Sequence, residues 1–329
     1  MNDFNHSEQT EKLPIDQVVT LLSTSEPDAQ AIPHPVRAAL ANLSPDELTV
    51  LASGWKNLDT DRRQAILEAL IEESEDRFDL DYNEIGHFAL NDPAPSVRQR
   101  AIDLLWIDES PYLMRRLKEV AQADDAAEVR ATAVSALGHF VLLGEYEEID
   151  PSEASHLVDM LNSIWFDEAE EWLVRRRALE SLGNSSVPGV HEIIADAYDS
   201  TDPEVRASAV FAMGRTCDRD RWGETVRREL SSTDDMIRYE AVRAAGEIEL
   251  RQSATTLNNM ALNDNGEIRK AAIWSLGEIG GPQAQRYLSA IAEIVEETSG
   301  DTELAELILE AIENATLPSS LDLDYDDEE

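Results

Sequence analysis

The sequence predicts an all-α solenoid of about seven to eight stacked helix pairs. Three observations point there: a phrase that recurs about every thirty residues, apolar spacing within it that only a helix satisfies, and a glycine near the end of most copies. The phrase runs from an acidic turn through Val/Ile-Arg and two further residues to Ala, then to a small-Leu-Gly ending. It occurs as Val97-Arg98 to Ala101, Val129-Arg130 to Ala133, Val174-Arg175 to Ala178, Val205-Arg206 to Ala209, Ile237-Arg238 to Ala241 and Ile268-Arg269 to Ala272. A looser copy reads Arg62 to Ala65. Successive arginines from Arg62 are 36, 32, 45, 31, 32 and 31 residues apart, and the long gap absorbs the acidic insert Gly144 to Glu148.

With each arginine counted as zero, apolar or small residues fall at −1, +3, +4, +6 and +7. At 100° per residue these positions share one face of a helix, which becomes the second helix of each pair. First helices are expected at Ser44 to Leu58, Ser110 to Ala123, Ser152 to Phe166 and Val187 to Tyr198. Ser44-Pro45-Asp46-Glu47 combines an N-cap, a first-turn proline and a capping-box glutamate. Gly138, Gly183, Gly214, Gly246 and Gly277 stand where either a left-handed cap or close helix approach is wanted. Residues 1–35 read as a largely disordered segment with one short helix over Leu13 to Leu22, residues 36–317 as the solenoid, and residues 318–329 as an acidic disordered tail.

The phrase resembles the HEAT-like repeat of phycobilisome-lyase-type proteins over roughly residues 44 to 315. That resemblance implies a HEAT/armadillo-type α-α superhelix. It leaves function open, because the same repeat serves scaffolds, bilin lyases and an iron hydroxylase.

Composition narrows the partners. The 68 acidic and 27 basic residues give a formal charge of −41, a field that repels phosphate backbones and anionic membrane surfaces. Nucleic acid and membrane are therefore not expected as partners. Only four of the basic residues are lysines, which a GC-rich genome or a high-salt habitat would equally produce. The lone Cys217 excludes an internal disulfide, and no apolar run approaches the length of a membrane span; a reducing cytoplasm is the expected location.

No phosphate loop, dinucleotide fingerprint or nucleophile elbow occurs. Deoxyhypusine hydroxylase, an enzyme of the same repeat class, carries His-Glu pairs directly after the repeat arginine. Here those slots read Gln99-Arg100, Ala131-Thr132, Arg176-Arg177, Ala207-Ser208, Tyr239-Glu240 and Lys270-Ala271, without a histidine. His191-Glu192 lies on a first helix with no second pair. Cys217 precedes Asp218, which would raise its pKa. No catalytic constellation, metal site or cofactor is expected, and the repeat arginines read as mortar to acidic turn residues such as Asp92, Asp125, Asp202, Asp235 and Asp264.

The stripe at +1, +2, +5 and +9 points away from the core and, on second helices, would line the concave groove. Over six repeats it holds six basic and five acidic residues, nearly neutral in a strongly acidic chain. Phe211, Arg243 and Trp274 share the +5 slot of three successive repeats, with Arg215, Tyr239 and Lys270 nearby. Two readings stay open: these six residues bind a partner, or the rings close gaps between repeats. Trp106, Trp165, Trp172 and Trp222 read as packing residues.

The first reading makes the protein a scaffold or adaptor for another protein or peptide, a basic one included. The resemblance keeps open a bilin-lyase-like enzyme, in which Arg215, Arg243 and Lys270 would meet tetrapyrrole propionates, and an oxidoreductase of the hydroxylase type, which the missing His-Glu pairs disfavour. A fourth reading assigns the acidic tail Leu321 to Glu329 to basic client proteins.

Overall fold

The computed structural model describes residues 12–24, 32–264, 266–298 and 301–316, and among them the regular structure is helical throughout. The chain separates into two compact units, Met1–Leu137 and Gly138–Glu329. In the first, α1 (Ile15–Thr24) and α2 (His34–Leu40) precede α3 (Pro45–Trp55), α4 (Thr60–Asp76), α5 (Asn83–Ala89), α6 (Pro95–Leu104), α7 (Pro111–Ala123) and α8 (Ala127–Glu145), whose last turns belong to the second unit. The second unit continues with α9 (Pro151–Phe166), α10 (Trp172–Leu182), α11 (Val190–Tyr198), α12 (Pro203–Arg215), α13 (Arg219–Glu229), α14 (Asp235–Glu247), α15 (Ala254–Asn263), α16 (Gly266–Ile279), α17 (Gly281–Thr298) and α18 (Thr302–Thr316). From α3 to α18 these are eight successive pairs, the all-α solenoid architecture expected from the repeat. The short N-terminal helix is α1; the segments 1–11, 25–31 and 317–329, on which the disorder expectations fall, lie outside the described residues.

Local signals account for the helix ends. Ser44 Oγ accepts from Glu47 N (3.3 Å) while Ser44 N donates to Glu47 Oε2 (2.8 Å), the reciprocal capping box read from the sequence. Ser110, Asp150, Asp202 and Asp234 cap α7, α9, α12 and α14 in the same sense. The fourth first helix starts at Val190 rather than Val187, because Gly189 turns left-handed (φ 98°) immediately before it. The first two residues of the acidic insert are helical: α8 runs to Glu145, whose carboxylate then accepts from Ser186 N (2.9 Å).

Second helices pack on second helices of the next pair. In α12 the −1, +3, +4, +6 and +7 residues Val205, Ala209, Val210, Ala212 and Met213 are all buried, each larger side chain contributing about 1.5–3 kcal/mol. The glycine alternatives resolve in favour of close approach. A Cβ at Gly214 would stand 2.9 Å from Ala244 Cα, and one at Gly277 would stand 3.0 Å from Ala311 Cα, so the backbones meet where only hydrogen fits.

The arginines act as mortar, with a correction of register. In α4 the repeat arginine is Arg63, not Arg62: Ile66, Leu67 and Leu70, its +3, +4 and +7 residues, are fully buried, whereas Ala65 is only half-buried. Arg63 Nη1 reaches both oxygens of Asp92 (2.7 and 2.6 Å), and Trp55 Nε1 donates to the same carboxylate (2.8 Å). Arg98 bridges to Asp124 and Asp125 of the following turn, and Arg238 to Asp235. Arg98, Arg130 and Arg238 each also donate to the carbonyl six residues earlier, at Asp92, Asp124 and Ser232. Three copies differ: Arg175 lies over Trp172 (4.3 Å) and Trp165 (5.7 Å), Arg206 pairs with Glu229 (3.7 Å), and Arg269 Nε is buried without a hydrogen-bond partner.

A net charge of −41 opposes compaction, while exposed pairs such as Lys270–Glu303 contribute little. Screening should therefore help more than it harms. Raising potassium chloride from about 0.05 to 1 M is expected to add at least about 1 kcal/mol, roughly 2–4 °C in Tm for units of this size. A thermal melt that shifts downward with salt would refute the self-repulsion argument.

Candidate functional site

The +1, +2, +5 and +9 residues of α10, α12, α14 and α16 come together as cross-helix ladders within the second unit. At +5, the Arg243 guanidinium lies between the rings of Phe211 (5.7 Å) and Trp274 (5.8 Å), so rungs from three successive helices alternate ring, cation, ring. At +9, Arg215 donates to Asn184 Oδ1 (2.8 and 3.0 Å) and approaches Glu247 (3.8 Å). At +1, side chains reach the −2 residue of the next repeat: Arg176 to Glu204, and Lys270 to Glu303 (2.6 Å). Phe211, Arg215, Tyr239, Arg243, Lys270 and Trp274 are all half-buried. The stripe thus neither stands free of its neighbours nor disappears into the core, and its rings do bridge successive repeats.

These contacts bear on the tetrapyrrole reading. Arg215, Arg243 and Lys270 each already hold a polar partner, Asn184, Glu247 and Glu303, which a propionate would have to displace.

Carboxylates between the ladders are strained electrostatically. Glu240 has its pKa raised to about 7, chiefly because burial penalises its charge; Arg243 works against the shift, and Glu180 and Glu247 add to it. Its Oε2 is buried with no hydrogen-bond partner. Burial also pushes up Glu247 and Glu278.

One rung is illegible in the repeat phrase. On α18 the slot equivalent to the repeat arginine is Ala305, since Ala311 meets Gly277 just as Ala244 meets Gly214. Its +1, +2 and +5 residues are then Glu306, Leu307 and Glu310, which extend the stripe with acids. The buried spacing of Leu304, Ile308 and Ala311 was the available signal, but without the Val-Arg marker it carries no phase.

Tyr239, Arg243, Lys270 and Trp274 line one side of a cavity of about 490 Å³ whose other side is Glu303, Glu306, Leu307 and Glu310. Elsewhere, His191 stands edge-on to Trp222 and 3.9 Å from Asp218. Trp165 and Trp172 stack on each other, and Trp222 is buried, in keeping with packing roles; Trp106 is half exposed and donates to Ser74. Cys217 takes a left-handed turn after α12 (φ 52°), and its thiol is pushed up by desolvation and by Glu247 and Glu249 rather than by Asp218. Among the described residues no three His, Cys, Asp or Glu side chains converge on a metal-sized site, and no helix is long and apolar enough to cross a membrane.

Residues 224–312 match the family profile of HEAT repeats. Comparison with curated proteins returns no match. Among solved structures, Escherichia coli YibA is similar at 17% identity, covering 85% of this chain and 95% of its own, with a TM-score of 0.41. An engineered protein matches at 19% identity over 92% of this chain and 89% of its own, with a TM-score of 0.37. Yeast importin-beta (Kap95p) matches at 12% identity and a TM-score of 0.45 over 92% of this chain, which spans 46% of the importin's length. Helix pairs in eightfold succession with interlocking second helices define an α-solenoid. Residues 224–312 of that solenoid carry HEAT repeats, and nothing places the chain in the phycobilisome-lyase subtype.

Proposed function

We propose that the protein is an interaction scaffold that holds a partner polypeptide along the second-helix face of its second unit. The observation that supports this is the half-exposed ladder Phe211, Arg243, Trp274, continuous with the cavity beyond Trp274. Aromatic and arginine side chains anchor interfaces because they present large, rigid area at low entropic cost. Here their mutual stacking preorganises them, and Arg215, Tyr239 and Lys270 complete the surface. The acidic remainder of the chain keeps the body soluble and favours a basic partner. A cytoplasmic setting accords with the lone thiol of Cys217.

The test is retention of native host protein by the immobilised chain and by a Phe211→Ala, Arg243→Ala, Trp274→Ala variant of equal helicity. Mass spectrometry should show at least one protein held by the intact chain and lost by the variant, an affinity drop of about a hundredfold if each anchor contributes about 1 kcal/mol. Equal retention by both would mean the ladder only closes gaps between repeats.

A further inference from the structure

Resting on the scaffold reading, we infer that the cavity between α14, α16 and α18 is a binding site for an arginine side chain of a basic polypeptide. The ladder supplies the chemical precedent: the chain already seats one guanidinium, that of Arg243, between Phe211 and Trp274. Trp274 and Tyr239 also line the cavity on the other side of that arrangement, opposite Glu306 and Glu310.

Charge decides what enters. Of the cations lining the cavity, Lys270 is bound to Glu303 (2.6 Å), and Arg243 is held by its two rings and by Glu247 (3.5 Å). Glu267, Glu306 and Glu310 form no ion pair among the described residues, so the cavity presents a net negative wall beside two aromatic rings. An anionic ligand would meet these carboxylates unscreened, whereas a guanidinium can lie flat on an indole and donate to a carboxylate at its edge. Arginine fits better than lysine, because the ammonium is a more strongly hydrated point charge and lacks the planar face. A second copy of this chain is disfavoured by mutual repulsion at −41 each, and so is its own acidic tail, Leu321 to Glu329. A volume of about 490 Å³ accommodates one such side chain with the peptide backbone that carries it.

The experiment titrates the full chain with a capped hexa-arginine peptide at about 0.15 M salt by calorimetry. Compared are the intact protein, Glu306→Gln/Glu310→Gln, Trp274→Leu, and Glu168→Gln/Glu296→Gln, which removes the same charge from exposed positions elsewhere. Glu306→Gln/Glu310→Gln should weaken binding about tenfold and Trp274→Leu about threefold. The control pair should stay within twofold, and hexa-lysine should bind the intact protein less tightly than hexa-arginine. Equal weakening by the control pair would show diffuse attraction and overturn the site. So would spermine displacing hexa-arginine at equal affinity, which would assign the cavity to a small polycation, or a dimer of the intact chain that Glu306→Gln/Glu310→Gln dissociates. Retention of the native partner by Glu306→Gln/Glu310→Gln, with loss by the triple ladder variant, would leave the scaffold standing and remove only this site. Retention by the ladder variant would remove the scaffold.

Discussion

Arg63→Met is expected to destabilise the first unit by about 3–5 kcal/mol, the largest effect of any single change to the repeat arginines. Asp92, whose side chain is 1% exposed, accepts from Arg63, Trp55 Nε1 and Ala94 N, and the guanidinium is the only cation among these donors. Removing it leaves a carboxylate that water cannot reach. Methionine keeps most of the volume, so lost packing contributes little and the charge term dominates. Adding Asp92→Asn should recover at least half of the loss, since a neutral amide can still accept from Trp55. Chemical denaturation followed by helicity, with hydrogen exchange to localise the change to α3–α6, measures both. A loss under about 1 kcal/mol for Arg63→Met would show that water solvates the pair and that the mortar role is minor.

Glu240→Gln is expected to stabilise the protein at pH 8 by roughly 2–3 kcal/mol, and to leave it unchanged near pH 4.5. The folded-state pKa of about 7 lies above the ordinary value of 4.5, so between these limits the folded chain binds more protons than the unfolded one. Stability therefore falls as pH rises through that window, and above it the full penalty of an ionised, half-satisfied carboxylate is present. Glutamine abolishes this penalty. Part of the slope should persist in the variant, because burial raises Glu247 and Glu278 in the same direction. Melting temperatures at pH 5 and pH 8 decide the matter: an intact and a variant protein with parallel pH dependence would place Glu240 in contact with solvent.

The two results bear on how far a repeat can be read. Arg62 and Arg63 are adjacent, and only the burial of Ile66, Leu67 and Leu70 assigns Arg63 to the repeat slot. Likewise Ala305 carries no marker, and α18 entered the stripe only through the approach of Ala311 to Gly277. The ring-cation-ring arrangement was half legible: the common +5 slot of Phe211, Arg243 and Trp274 stands in the sequence, but their stacking does not.

By itself the sequence determined the helix pairs, the cap at Ser44, and the buried face of the six second helices that carry the Val/Ile-Arg phrase. Those features follow from periodicity and hydrogen bonding within a few residues, where 100° per residue leaves a single solution. Only the tertiary structure decided that the glycines serve close approach, that Arg175 turns to tryptophans instead of an aspartate, and that Glu240 lacks a partner between two arginines and two carboxylates. The glycine contacts join residues about thirty apart across neighbouring helices, and the packing of one helix on the next, which local spacing does not encode, sets which side chains meet at all three places.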